Sequence, residues 1–184
     1  GRGFLITIHY GEIYTIKKMY DQARKEAPMK TELFQKTSGF LLYRILEGLF
    51  RRSYPILDHM DEDLGKIEEG IFHRFSRNIL TSITLMRRNI IEFRKMMKTH
   101  KYVLERLARS KVSYLTFPQS KVYYRDLLEY SQNIWDILEA LKETMETLAD
   151  TYQSLATHRL NYLTRNFSIF SAIIIPATLV AFLF

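Results

Sequence analysis

The last third of the chain constrains it most. From Phe167 to Phe184 the sequence reads FSIFSAIIIPATLVAFLF, without a single charge. At about 1.5 Å rise per residue, a helix of that length spans most of a hydrocarbon core about 30 Å thick. Arg159 and Arg165 stand just before it. Further upstream, Ile134, Leu138, Leu141, Met145, Leu148, Tyr152 and Leu155 alternate steps of four and three, the spacing of a coiled-coil seam. Residues 123–184 therefore read as one very long helix that begins in water and ends in lipid.

The rest of the chain reads as support for that helix. Phe4–Tyr10 (FLITIHY) is rich in β-branched and aromatic residues, which predicts one short N-terminal strand that needs a partner sheet or a docking surface. Ile13 to Lys25 predicts an amphipathic helix ended by Ala27-Pro28, because the residue before a proline is pushed out of the helical region. A second helix is expected from about Thr31 to Phe72, on a seam of Leu42, Leu46, Leu49, Ile56, Met60, Leu64, Ile67 and Ile71, with a kink or local accommodation at Pro55. A third runs from about Ser76 to Arg109 on Ile79, Ile83, Met86, Ile90, Phe93, Met97, Leu104 and Leu107. Residues 110–119, with Phe117-Pro118, connect it to the final helix near Val122. The expected fold is mainly α: an elongated, coiled-coil-like bundle of long helices whose last member continues as a transmembrane helix.

Several function classes drop out. The chain has no cysteine, which removes disulfides and thiolate metal sites. Its net charge of +7 comes from 27 basic and 20 acidic residues interspersed along the helices, which fits solvated faces and anionic lipid rather than nucleic acid. No signal peptide is visible. No P-loop, dinucleotide loop, nucleophile elbow or His-Glu-x-x-His pair is present, so an enzyme is not expected. His59 with Asp63 has metal-ligand spacing, but fits an exposed helical ion pair better. The acidic set Asp58, Asp61, Glu62, Asp63, Glu68 and Glu69 attracts hard cations or simply keeps a long helix soluble.

The most informative pattern lies on the last helix, away from its hydrophobic seam. Steps of four and three from Asp150 give Ser154, Thr157, Asn161, Thr164, Ser168, Ser171, Ile175 and Thr178. After Asp150 this stripe is small, polar and almost uncharged, and it runs into the apolar segment. Polar groups at bilayer depth need a partner helix or a water-filled path. Ser and Thr also favour transmembrane helix interfaces, so packing alone is the alternative. One helix cannot enclose a pore, and a pore reading therefore requires a ring of subunits. Amide and hydroxyl oxygens suit a hydrated divalent cation such as Mg²⁺, which sheds water reluctantly. Phe167, Phe170 and Ile175 supply an apolar counterpart where dewetting closes the path.

These residues resemble a known family. Asn161–Thr164 (NYLT), followed by FSIFSAIIIPATL from Phe167, is similar to the end of the stalk helix and the first transmembrane helix of the CorA-type magnesium transporters. Tyr124-Arg125-Asp126-Leu127, the Phe40-Leu41-Leu42-Tyr43 stretch and FLITIH fall in the family's order, so the resemblance covers essentially the whole chain. It implies a homopentamer in the plasma or inner cell membrane, with residues 1–166 cytoplasmic. It divides the chain into the end of an α/β domain (1–30), an antiparallel long-helix pair (31–120), a stalk helix (121–166) and the start of a transmembrane helix (167–184).

The resemblance also implies roles. Asn161 would form a ring near the cytoplasmic mouth, with Asp150 an acidic ring below it. Thr164, Phe167, Ile175 and Thr178 would line the pore, and Asp126 would hold a regulatory Mg²⁺ between subunits. The family's Gly-Met-Asn selectivity motif would begin after Phe184; it, the second transmembrane helix and most of the α/β domain are absent from this chain, which is expected to be a fragment. Thr164 and Ile175 stand where methionines are common, and Phe182 where glycine is usual. Co²⁺ and Zn²⁺ therefore stay open as cargo beside Mg²⁺, Zn²⁺ through the zinc-transport branch of the superfamily. A membrane-anchored helical scaffold that transports nothing is the reading from a different class.

Overall fold

The computed structural model describes residues 4–34, 36–73, 77–110, 115 and 117–183, with side chains for all of these except 73, 77, 177 and 179–183. The described chain is mainly helical. In order, α1 spans Tyr14–Lys25, α2 Ala27–Phe34, α3 Ser38–His73, α4 Arg77–Arg109 and α5 Ser120–Leu183. No strand occurs among the described residues. The expected strand at Phe4–Tyr10 is irregular instead, with Phe4, Ile6, Ile8 and Tyr10 exposed. A lone strand leaves its backbone donors and acceptors without a ladder, and no partner strand is described to receive them.

Local chemistry sets the breaks. Glu26 takes an extended conformation and caps α1 through its N–H to the Gln22 carbonyl, while its own carbonyl accepts from Lys30 to open α2. Pro28 thus sits in the first turn of α2, where its missing N–H costs nothing. The helix expected from Thr31 is divided before Ser38, because Thr37 caps a new start. Its Oγ1 accepts from the Phe40 N–H at 3.3 Å, and its carbonyl from Phe40 and Leu41. α3 then runs through Pro55 without interruption. Gln119, at φ 64°, turns the chain from Phe117-Pro118 into α5.

α5 is the organising element, since α3 and α4 each pack on it more than on one another. Its core positions repeat every seven residues: Leu127, Ile134, Leu141 and Leu148 in one row, Tyr124, Ser131, Leu138 and Met145 in the next, all buried. α4 answers with Ile83, Ile90, Met97 and Leu104, and α3 with Tyr43, Phe50, Leu57, Leu64 and Ile71. These are heptad seams of interlocking side chains. The Arg94 guanidinium ties α4 to Glu139 of α5 and stacks over Trp135 at 4.8 Å. At the far end, Phe40, Tyr43, Phe117, Tyr123 and Tyr124 form one aromatic cluster, and the Tyr124 hydroxyl donates to the Leu115 carbonyl at 3.2 Å.

The α3 seam corrects the sequence expectation in its first half. Leu42, Leu46 and Leu49 line an open apolar groove between α3 and α4, and Ile56 is 49% exposed, whereas Phe40, Tyr43 and Phe50 face the core. The second half, Met60 to Ile71, is buried as expected.

Candidate functional site

The candidate residues lie on the face of α5 turned away from the bundle. Leu148 and Tyr152 belong to the buried seam; Asp150 and Ser154, two positions on, lie about 200° round the helix and are exposed. Asp150, Thr157, Thr164, Ser171 and Thr178 are spaced by seven, as are Ser154, Asn161, Ser168 and Ile175, with Phe167 at the outer edge of the first row. All ten are exposed. On a straight helix such rows drift by about 20° per heptad, so each row stays within roughly a quarter-turn and the whole stripe within about 140°.

The bundle ends before the stripe does. Tyr152 and Leu155 are the last side chains packed on the core. From Thr157 to Pro176 every side chain is exposed except the half-buried Asn166. Leu160, Tyr162, Leu163, Phe167, Ile169, Phe170, Ile173, Ile174 and Ile175 are each more than half exposed, spread over about two-thirds of the circumference. Where the apolar run begins, Arg165 lies over the Tyr162 ring at 5.6 Å, a pair suited to a membrane–water boundary. Among the described residues no helix is long and apolar enough to cross a membrane. The expected membrane segment at 167–184 is helical to Leu183, but its unbroken run of described side chains, 167–176, is only about 15 Å long.

Three of the stripe hydroxyls bond back within the helix. Thr157 Oγ1 donates to the Gln153 carbonyl at 3.0 Å and Ser168 Oγ to Thr164 at 2.9 Å; Thr178 Oγ1 reaches the Ile174 and Ile175 carbonyls beside Pro176. Each hydroxyl proton is thereby turned into the backbone, which leaves oxygen lone pairs facing outward. Asp150, Gln153, Ser154, Thr157 and His158 line a shallow groove at the root of the stripe.

Asp126 sits apart from these residues. It is half-buried on α5 beside α3. Burial, then the negative charges of Glu47 and Asp126, push the buried Tyr43 phenol up to about 12. Among the described residues no three His, Asp or Glu side chains converge as a metal cluster. His59 pairs with Glu62 at 3.3 Å rather than with Asp63, whose partner is Lys66 at 2.6 Å.

One feature escaped the sequence reading. Arg44 and Arg51 flank Glu47, whose carboxylate is buried, at the cleft between α1–α2 and α3. Their spacing of three and four residues was the available signal, but it is shared by ordinary surface pairs.

Comparison with known proteins agrees with this architecture. The chain is 25% identical over 147 residues to the cobalt/magnesium transport protein CorA of Thermotoga maritima, covering 80% of this chain and 42% of that one. It is 24% identical over 157 residues to the protein of the same name from Methanocaldococcus jannaschii, covering 85% and 49%. It thus spans about half the length of the curated relatives it matches. The complete structure of the CorA magnesium transporter from M. jannaschii shares its fold, with a TM-score of 0.79 at 22% identity over 90% of this chain and 51% of that one. Residues 1–184 match the family described as CorA-like Mg²⁺ transporter protein, a transporter rather than an enzyme family, and the chain belongs to it.

Proposed function

We infer that this chain is the stalk and membrane entry of a divalent cation transporter, with Mg²⁺ as its principal cargo, working as a homopentamer in the plasma or inner cell membrane. Family membership supports the class. The observation that carries the reading is the bare end of α5, uncharged from Phe167 onward, with exposed apolar side chains over most of its circumference beside the Ser/Thr stripe. Such a helix is not stable in water and calls for burial by lipid and by copies of itself.

A ring of five copies turns the Asp150–Thr178 stripe to a common axis and leaves the remaining apolar faces to lipid. Residues 1–166 then lie on the cytoplasmic side. Asp150 concentrates cations at the entrance. Asn161 and the hydroxyls of Ser154, Thr157, Thr164, Ser168, Ser171 and Thr178 hydrogen-bond the water shell of an ion that resists dehydration. Phe167 and Ile175 form apolar constrictions that close by dewetting. Asp126 is the proposed ligand of a regulatory Mg²⁺; its half-buried carboxylate would share that ion with a neighbouring subunit. Two relatives carry cobalt in their names, and Co²⁺, or Zn²⁺ in its place, would use the same hydrated path.

The inward-bonded hydroxyls favour a second reading, in which the stripe only packs helices in a scaffold. Mg²⁺ flux into vesicles, measured on the full-length protein carrying Asn161→Ala or Asp150→Asn, separates the two. A pore predicts a several-fold loss of flux or of selectivity. Unchanged flux and selectivity in both variants would favour the scaffold.

A further inference from the structure

The cleft between α1–α2 and the first turns of α3 holds a cavity of about 440 Å³, within the range of small-ligand sites. Lys18, Arg44, Arg51 and Arg52 line it, facing a wall that includes Met29 and Leu33. The carboxylate in its lining belongs to Glu47, which is only 7% exposed. Arg44 Nη1 donates to it at 2.7 Å and Arg51 Nη2 lies 3.0 Å away. With Glu32 Oε1 also 3.7 Å from Arg44, two carboxylates face four cations, and the cleft keeps an excess of positive charge.

Two details point to a ligand. Arg44 Nε is buried and has no hydrogen-bond acceptor; Glu32 Oε1, at 3.7 Å, is too far to serve. The guanidinium groups are also pre-positioned, Arg44 and Arg51 by Glu47, and Arg52 by stacking 4.4 Å over Tyr14. Fixed guanidiniums on a concave wall recognise phosphate oxygens and give up little side-chain entropy on binding.

The position of the cleft identifies the source of the phosphate. Arg51 is level with Tyr130 of α5, 5.7 Å from its ring. Along α5 the apolar run at Phe167 is about 55 Å away, so a lipid headgroup cannot reach the cleft. We propose that the cleft binds a soluble nucleoside polyphosphate, with its phosphates on Lys18, Arg44, Arg51 and Arg52 and its base against Met29 and Leu33. The exclusion of a lipid source rests on the membrane entry proposed above; nucleotide binding in the cleft does not depend on ion transport.

Calorimetric titration of the full-length protein in detergent micelles, at about 0.1 M salt with EDTA, tests it with ADP and with inorganic pyrophosphate as probes. ADP is expected to bind, with pyrophosphate weaker but competing. Lys18→Gln and Arg52→Gln, neither of which touches Glu47, each weaken ADP about tenfold. Arg87→Gln and Arg88→Gln, exposed on α4, leave it unchanged. No ADP binding at millimolar concentration overturns the proposal, as does equal weakening by both pairs of variants, which would mean bulk charge alone. Pyrophosphate binding as tightly as ADP overturns the nucleoside assignment.

Discussion

Gly48 is where α1 crosses α3, and adding one methyl group there tests how the cleft is built. A Cβ on Gly48 would lie 2.6 Å from Thr15 Cγ2, about 1 Å inside ordinary carbon–carbon contact. Thr15 is 8% exposed and β-branched, so it has little rotamer freedom with which to yield. In an ordinary helix, alanine in place of glycine stabilises by up to about 1 kcal/mol. Here that gain accrues to α3, while overpacking costs roughly 1–3 kcal/mol at the α1 contact. Gly48→Ala should therefore leave the bundle melt little changed and undock α1, with a net local loss on the order of 1.4 kcal/mol. Hydrogen exchange reads this as about tenfold faster exchange of the Lys17–Lys25 amides. Thr15→Ser removes only the offending methyl, and in the Gly48→Ala background it should restore protection, with a coupling near 1 kcal/mol. Unchanged or stronger α1 protection in Gly48→Ala would refute the close crossing.

Two further outcomes follow from the same packing. Leu138→Ala, at a fully buried seam position, should cost about 2–5 kcal/mol in chemical denaturation, while Leu163→Ala, 54% exposed beyond the bundle, should stay within about 0.5 kcal/mol and instead weaken assembly seen by mass measurement in detergent. Tyr43 is the more strongly shifted of two buried phenols: its folded pKa is raised from 10.0 to about 12, so its contribution is complete below pH 10 and is lost as the pH rises through about 12, on the order of 3 kcal/mol in all. Alkaline melts should therefore show a fall above pH 10 that Tyr43→Phe lessens; burial also raises the Tyr124 phenol, so a smaller fall stays in that variant.

Much of this bundle could be read from spacing alone. The α5 seam from Ile134 to Leu148 is buried residue for residue, because polar residues surround it and leave only one apolar face. α3 was harder, since its first half carries two apolar faces. Leu42, Leu46 and Leu49 fit a helical stripe as well as Tyr43 and Phe50 do, and only the α5 aromatics at Tyr123 and Tyr124 decide which faces inward. The strict seven-residue repeat of Tyr43, Phe50, Leu57, Leu64 and Ile71 was the sequence signal that separates them. The strand expected at Phe4–Tyr10 rested on local propensity, which cannot supply a partner ladder. The stripe from Asp150 to Thr178 was legible because its period matches the seam's, offset to the opposite face. The basic cleft was not, because α1 and α3 bring Lys18 and Arg52 together across distant stretches of sequence.

The central claim is that the α5 stripe faces an axis along which ions move. Residues 1–184 contain no cysteine, so within this stretch an introduced cysteine has no native competitor, and the full-length parent without an introduced cysteine sets the background. Cd²⁺ block of Mg²⁺ flux is the direct measurement, made in full-length protein carrying Ser154→Cys, Thr157→Cys, Asn161→Cys, Thr164→Cys or Ser168→Cys. Tyr162→Cys, Leu163→Cys and Ile169→Cys serve as the off-stripe set. The account predicts block that recurs at steps of three and four along the stripe and is absent off it. Block without that period, or strongest at Tyr162 and Leu163, would contradict it.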